Sequence, residues 1–513
     1  MRSILLALAG VAAAIPSDCP GYTQYAETRH PPYSAGKRNF PFQRPEERCR
    51  THPIPEVERI INDDMKSAIK DPDLHRLFEN TWPNTLDTTV LWKGVSAENA
   101  NEELSFIITG DINAMWLRDS ANQLQSYKSI IHGPSDDGTG NDMASLFRGA
   151  INLQGRYIRQ FPHCNAFQPP PESGMGHAKR SIEKRDEVKP PYKSSVVFEC
   201  KYELDSLAAF LQLSWDYYEA SGDRAFFGKF AWADTVRTIL KTVKELMIGT
   251  YATDGSINES PYTWQRQSTR STETVANNGH GDPVKGGVGL IRSFFRPSDD
   301  ACVYQYLIPA NMMFSRYLGS CADIMRSIDG DLADEMADIA ANIVQGINNH
   351  AVVRHPEFGN IYAYESDGYF SRGVMDDANL PSLLSIPHLG YENSSSTVYQ
   401  NTRKFVLSTA NPYYAWGPVL NATGGPHLGP GRGWPMAVIM QIMTSDDDDE
   451  IENGIRQLLG STGSLGLIHE TVSSHNEHQW SRPWFAWANG LFGQMILDLK
   501  KRKPHLLSRS YQN

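Results

Sequence analysis

An all-α fold assembled from helical hairpins is what this 513-residue sequence predicts, on three observations. Apolar residues recur at three-and-four spacing over long segments, runs of β-branched alternation are scarce, and helix-like segments are punctuated by Gly-Asp breaks. Hydrophobic residues at 40% and charged residues at 21% can supply a core and exclude wholesale disorder. Repeated hairpins of about 50 residues fit a helical solenoid or a closed ring, and a solenoid shows tighter repeat identity than this chain does.

The first element is "MRSILLALAGVAAAIPSDCP", one arginine and an apolar run from Ile4 to about Ala14, too short to span a bilayer. It predicts a cleaved secretory signal over residues 1–14, with an uncleaved anchor as the plainer alternative. The expected destination is outside the cell or the secretory lumen. In such an oxidising compartment the six cysteines allow one or two bridges, with Cys19–Cys49 the expected pair. Asn258, Asn393 and Asn421 become candidate glycan acceptors there. Residues 15–55, rich in Pro, Arg and Tyr without a period, predict an extended arm over a single domain of residues 56–500, followed by a tail at 501–513.

Within the domain, "ELDSLAAFLQLSWDYYEASGDRAFF" places Leu204, Leu207, Ala208, Leu211 and Trp215 on one helical face and breaks at Ser221-Gly222-Asp223. "DTVRTILKTVKELMIG" follows with the same period. "CVYQYLIPANMMFSRYLGSCADIMRSIDGDLADEMADIAANIVQGI" repeats the grammar around Gly330-Asp331, with an aspartate at the start of the second helix to favour its exposed amides. Phe167 to Lys193, with its prolines, glycines and dibasic pairs, predicts a long exposed loop. The unusual residues fall on the connections, so the loops are expected to converge on one mouth.

Charge and motifs narrow the function classes. The net charge of −11 without a basic stripe gives no electrostatic footprint for nucleic acid. No later stretch reaches the ~18 apolar residues of a membrane span. No GxGxxG opens a strand-helix unit and no P-loop is present, so no nucleotide cofactor is expected. Five of the eleven tryptophans (Trp416, Trp434, Trp480, Trp484, Trp487) fall in the last fifth of the chain, where flat faces serve core packing first and sugar stacking second.

Three stretches could carry chemistry. In "GDINAMWLRDSANQL", Trp116, Arg118 and Asp119 offer a stacking face, a fork of donors and an acceptor, either to hold a polyol or to brace a loop as an internal ion pair. In "FRPSDDACVYQYLIP", Ser298 reads as a helix N-cap with Asp299 and Asp300 in the first turn, where one can cap while the other faces a cleft. A desolvated carboxyl there would be raised in pKa and serve as a general acid. In "GSLGLIHETVSSHNEHQWSRPWFAWANG", Glu470 lies in an aromatic-rich loop as a candidate general base. His469-Glu470 begins like a zinc-helix motif, but position 473 is Ser, so the two-histidine pair is absent and no metal is expected.

The blocks "GDINAMWLRDSANQ", "ECKYELDSL", "FFRPSDDACVYQYLIPANMM", "DDANLPSLLSIPHLG", "GPGRGWPM", "GSLGLIHE" and "SRPWFAWANGLFG" resemble, in this order, the signatures of glycoside hydrolase family 125 from about Trp92 to Gly493. The resemblance implies an (α/α)6 barrel and a metal-independent exo-α-1,6-mannosidase that inverts the anomeric centre, acting on a mannose-containing oligosaccharide or glycan. It implies that the general acid is Asp299 or Asp300, with a lean to Asp299, and that Glu470 is the general base. Arg118 and Asp119 look like binders of the terminal mannose, and Arg296, Asn379, Trp434 and Trp484 like further lining residues. Two alternatives stay open: another helical-barrel specificity such as glucoside or trehalose cleavage, and a mannan-binding protein without turnover.

Overall fold

The computed structural model describes residues 16–133, 141–179 and 186–512; the expected signal segment lies outside the described residues. Eleven helices of nine or more residues are found among them: α1 (Pro72–Thr81), α2 (Leu117–Gln125), α3 (Asp142–Gln160), α4 (Leu204–Ser221), α5 (Trp232–Leu246), α6 (Ile308–Met325), α7 (Gly330–His350), α8 (Thr397–Val406), α9 (Pro435–Met443), α10 (Asp448–Gly460) and α11 (Ala486–Arg502).

Two kinds of helix alternate. In α2 every residue is buried, and α4, α6, α9 and α11 are buried on most sides. These five pack side by side in the series α9, α11, α2, α4, α6. Four of the others back onto them, α1 onto α11, α3 onto α4, α7 onto α6 and α10 onto α9, while α5 packs onto α3. Between α7 and α8, where the alternation calls for another inner element, residues 376–386 are buried but turn-like. The buried side chains merge into one main core that draws on all eleven helices.

Local chemistry sets the breaks. Gly222 ends α4 in the left-handed region at φ +69°, which glycine adopts without a Cβ penalty. Asp223 then accepts from the Phe226 amide and starts a short 3₁₀ turn. At the second hairpin the cap is Asp329, accepting from the Leu332 amide, rather than Asp331, which lies inside the first turn.

Short strands precede four inner helices: Met115–Trp116 before α2, Val197–Glu199 before α4, Tyr306–Leu307 before α6 and Arg432–Gly433 before α9. They pair with segments from elsewhere in the chain, as Met115–Trp116 does with Ala166–Phe167. Together these pairings fix the loops at the N-terminal ends of the inner helices. The segment expected as a long exposed loop is structured at both ends. Phe167 to Pro170 are buried, and Asp186–Lys189 pairs antiparallel with Thr263–Arg266, because Val188 opposes Trp264 and Arg266 holds Asp186 at 2.7 Å.

Residues 16–55 lie over α1 and the segment after it. Arg44 bonds Asp87 at 2.7 Å, Ser34 donates to Asp73 at 2.5 Å, and Cys19 is bridged to Cys49. A second bridge joins Cys164 to Cys200. At the other end of the chain Leu506, Leu507 and Tyr511 are buried, and the Tyr511 amide donates to Asp71. No helix among the described residues is long and apolar enough to cross a membrane.

Candidate active site

The loops and first turns at the N-terminal ends of the inner helices line one cavity. The first turn of α2 supplies Arg118 and Asp119, with Trp116 just before it. Trp434 caps α9, Trp487 sits in the first turn of α11, and Asn379 comes from the irregular inner segment. Asp299, His427, Glu470 and Arg482 complete the wall. Most lining residues are buried, whereas Ile112, Asp299, His427 and Arg482 are part-exposed and so form the mouth. Helix N-termini place positive partial charge around this concave space, which favours carboxylates and electron-rich oxygens.

Behind Asp299 lies a buried ionic cluster. Arg118 Nη1 is 2.6 Å from Glu203 and 3.1 Å from Asp205, and its Nη2 is 3.5 Å from Asp119. Lys201 Nζ sits 3.8 Å from the Asp299 carboxylate and donates to the Asp299 carbonyl at 3.1 Å. Asp119, Glu203, Asp205 and Asp299 outnumber the cations Arg118 and Lys201. Desolvation and the neighbouring carboxylates raise the Glu203 carboxyl well above the usual carboxylate range despite Arg118. Burial alone would push Asp299 up, but Lys201, Arg118, His427 and a hydrogen bond with Glu203 hold it down at about 2. The sequence expectation of a raised Asp299 is therefore reversed: the cations around it hold its carboxyl down.

The "SDD" stretch is not a helix cap. Phe295 pairs with Ala301, the Arg296 amide donates to the Asp300 carbonyl at 2.8 Å, and α6 begins only at Ile308. Asp299 stands at φ +68°, a left-handed conformation that aspartate tolerates better than most residues. The turn sends the two carboxylates apart. Asp299 reaches the cavity, while Asp300 is buried, accepting from Ser298 at 3.1 Å and lying 3.5 Å from His427 Nδ1. Burial opposes a charged imidazole at His427, but Asp300, Asp299 and Glu470 around it raise its pKa. Asp377, raised to about 6 by burial and then by Asp300, shares the Ser298 hydroxyl at 2.9 Å.

Elsewhere in the lining, Glu470 accepts from the Ser481 hydroxyl at 2.7 Å and lies 3.3 Å from Arg482 Nε. Both contacts meet the same oxygen, Oε2. Several polar atoms of the lining have no hydrogen-bond partner in the protein: Arg118 Nε, Asp119 Oδ2, Asn379 Nδ2 and the indole N–H groups of Trp116, Trp434 and Trp487. Such a set of buried donors and acceptors can meet the hydroxyls of a polyol.

Seven sequence-derived candidates line this cavity: Trp116, Arg118, Asp119, Asp299, Asn379, Trp434 and Glu470. Three do not. Asp300 is turned behind it, and Arg296 is buried in an ion pair with Glu365 at 2.6 Å, where it braces the turn. Trp484 lines a separate groove and packs edge-on against Tyr22 of the arm, ring centroids 4.7 Å apart. Trp487, three residues on, takes the cavity position. Sequence reasoning did not single out Lys201, Glu203, His427 or Arg482, although each falls inside or beside one of the quoted blocks.

Two carboxylates, indole surfaces and unpartnered donors lining one cavity at one end of a helical assembly define the class as a carbohydrate-active pocket protein. The chain belongs to glycoside hydrolase family 125, described as metal-independent α-mannosidases, whose profile matches residues 71–497. It is 45% identical over 517 residues, 99% of both chains, to the meiotically up-regulated gene 157 protein of Schizosaccharomyces pombe. Among solved structures it resembles a metal-independent α-mannosidase of Streptococcus pneumoniae, held in a non-productive complex with α-1,6-mannobiose. That match has 31% identity and a TM-score of 0.73, covering 87% of this chain and 98% of the other.

Proposed function

We propose that the protein is an exo-acting α-1,6-mannosidase that removes a non-reducing terminal mannose with inversion and without a metal. The observation that carries this reading is that Asp299 and Glu470, far apart in sequence, line one small cavity. Family membership supports the α-mannosidase activity, and the mannobiose complex of the Streptococcus protein supports the linkage. The alternation of inner and outer helices, completed by the irregular inner segment, supports the (α/α)6 barrel.

In this reading Arg118, Asp119 and Asn379 bind the terminal hydroxyls, and Trp116, Trp434 and Trp487 enclose the ring. The leaving oxygen docks against Asp299, which lies at the mouth and takes up a proton from solvent. Asp299 then gives that proton to the glycosidic oxygen as the C1–O bond breaks. Glu470 takes a proton from the water whose oxygen bonds to C1 on the opposite face, through an oxocarbenium-like transition state. Asp300 serves as the positioning partner of His427.

The test is three variants. Asp299→Asn and Glu470→Gln should fold yet lose about 10²–10⁴-fold in kcat, the usual range for a general acid or base. Asp300→Asn should retain more activity than either. Full activity in the Asp299 or the Glu470 variant would remove the assignment. A panel of aryl α-mannosides, α-glucosides and trehalose separates the mannosidase from other specificities, and slow turnover of α-1,6-mannobiose separates an enzyme from a binding protein. We place the mature chain outside the cell or in the secretory lumen; the two bridges support an oxidising compartment.

A further inference from the structure

A second concavity lies beside the mouth, between the N-terminal arm and the body. Its outer wall is the arm from Cys19 to Tyr25 with Pro45 and Cys49, and its inner wall includes Gly110, Asp111, Asn113 and Trp484. One loop serves both spaces. Thr109 and Ile112 face the catalytic cavity, whereas Gly110, Asp111 and Asn113 face the groove. Asp111 is ion-paired with Arg482, whose Nε is 3.3 Å from Glu470, so a single ion pair marks the boundary.

The position has a chemical consequence. A pocket that encloses a terminal sugar has its mouth as the way out, and the rest of an oligosaccharide must lie across the rim. Arg482, one of the four rim residues, is ion-paired with Asp111 of the groove wall, and Ile112 sits between the groove residues Asp111 and Asn113 in the chain. We propose that the arm and the 110–113 loop form an extended subsite that holds the distal residues of an α-1,6-linked mannooligosaccharide while its terminal residue is cleaved. This rests on the mannosidase reading above and adds the substrate's length to it.

The groove has suitable surfaces. Gln24 and Asn113 present exposed side-chain amides, and Tyr22 and Tyr25 are half-buried rings. The Trp484 indole N–H is buried and lacks a hydrogen-bond partner. Amides and ring faces recognise neutral polyols, and tyrosines lose little conformational freedom on binding. The wall is also held rigidly: the Cys19–Cys49 bridge closes the arm on itself, Tyr22 donates to the Gln43 carbonyl at 3.0 Å, and Arg44 is anchored to Asp87. Preorganisation of this kind reduces the ordering cost of binding. The arm precedes the 71–497 region shared with the family, while the Schizosaccharomyces relative spans 99% of this chain and so includes the region.

The test compares kcat/KM for α-1,6-mannotetraose with that for α-1,6-mannobiose in the intact protein. The expected ratio in the natural sequence is about fivefold or more, the effect of one or two net hydrogen bonds. In the Gln24→Ala/Asn113→Ala variant, and in Cys19→Ser/Cys49→Ser, the ratio should fall towards one at an unchanged fold by circular dichroism. A natural-sequence ratio near one, or variants that keep the full ratio, would overturn the subsite. Ligand-observed NMR of mannotetraose on the Glu470→Gln protein reads the groove without turnover. Contact to the third and fourth sugars supports it, and contact to the terminal sugar alone refutes it. Failure to cleave any α-mannoside would instead sink the mannosidase reading.

Discussion

Replacing Arg44 with methionine tests how the arm is fastened. The Arg44 guanidinium gives Nε to Asp87 Oδ2 at 2.7 Å and Nη2 to Asp87 Oδ1 at 3.1 Å, and it also meets Glu58. Asp87 is 2% exposed, and after the substitution its remaining cation is Arg50 at 3.7 Å. Glu58 is about 30% exposed and adds little, being screened by solvent. Breaking one partner out of a buried pair costs roughly 3–5 kcal/mol, and the residual Arg50 contact puts this case at about 3 kcal/mol. Unfolding entropy of ~2.1 cal/mol/K per residue over roughly 500 residues is about 1 kcal/mol/K, so calorimetry should show the midpoint falling by about 3 °C at pH 7.

The pH dependence sharpens that prediction. Burial raises the Asp87 pKa and Arg44 pulls it down, so losing Arg44 raises it further. A carboxyl whose folded pKa lies above its unfolded value contributes stability below the unfolded pKa and loses it as pH rises through the folded one. The deficit should therefore be larger at pH 8 than at pH 5. Adding Asp87→Asn should recover most of it at pH 8, because no unpaired charge is left buried. A single variant that melts within 1 °C of the natural sequence, or a double variant no better than the single, would refute the anchoring role.

Other expectations follow from the same geometry. The His427 imidazole should titrate above an ordinary histidine by NMR, and Asp300→Asn should move it down; no movement would dissociate Asp300 from His427. Arg296→Met should lower the melting temperature through the unpaired, buried Glu365, and unchanged thermal stability would show that the ion pair does not brace the turn. Activity should survive a strong chelator, and loss that calcium or zinc restores would overturn the metal-independent reading.

The residues best read from sequence are those whose role depends on local spacing. The α4 face from Leu204 to Trp215 and the Gly222 stop are written in periodicity and a glycine, and both appear in the fold. Arg118 and Asp119 lie in the first turn of α2, so their place at the N-terminal end of an inner helix follows once the helix is assigned. Asp299 and Asp300 could not be separated this way, because the φ +68° turn that parts them is set by a bridge from Phe295 to Ala301. The sequence reading places Trp484 in the lining and the structure places Trp487 there, because the start of α11 decides which indole faces the cavity and which meets the arm. Lys201 and Glu203 lie beside Asp299 only through packing across about a hundred residues of chain, which no local pattern encodes.

The central claim is direct displacement at C1 by a water that Glu470 activates against an acid at Asp299. Following α-1,6-mannobiose hydrolysis by proton NMR, before mutarotation scrambles the anomers, reads this most directly. β-Mannose released first is the predicted result, and α-mannose released first would contradict it.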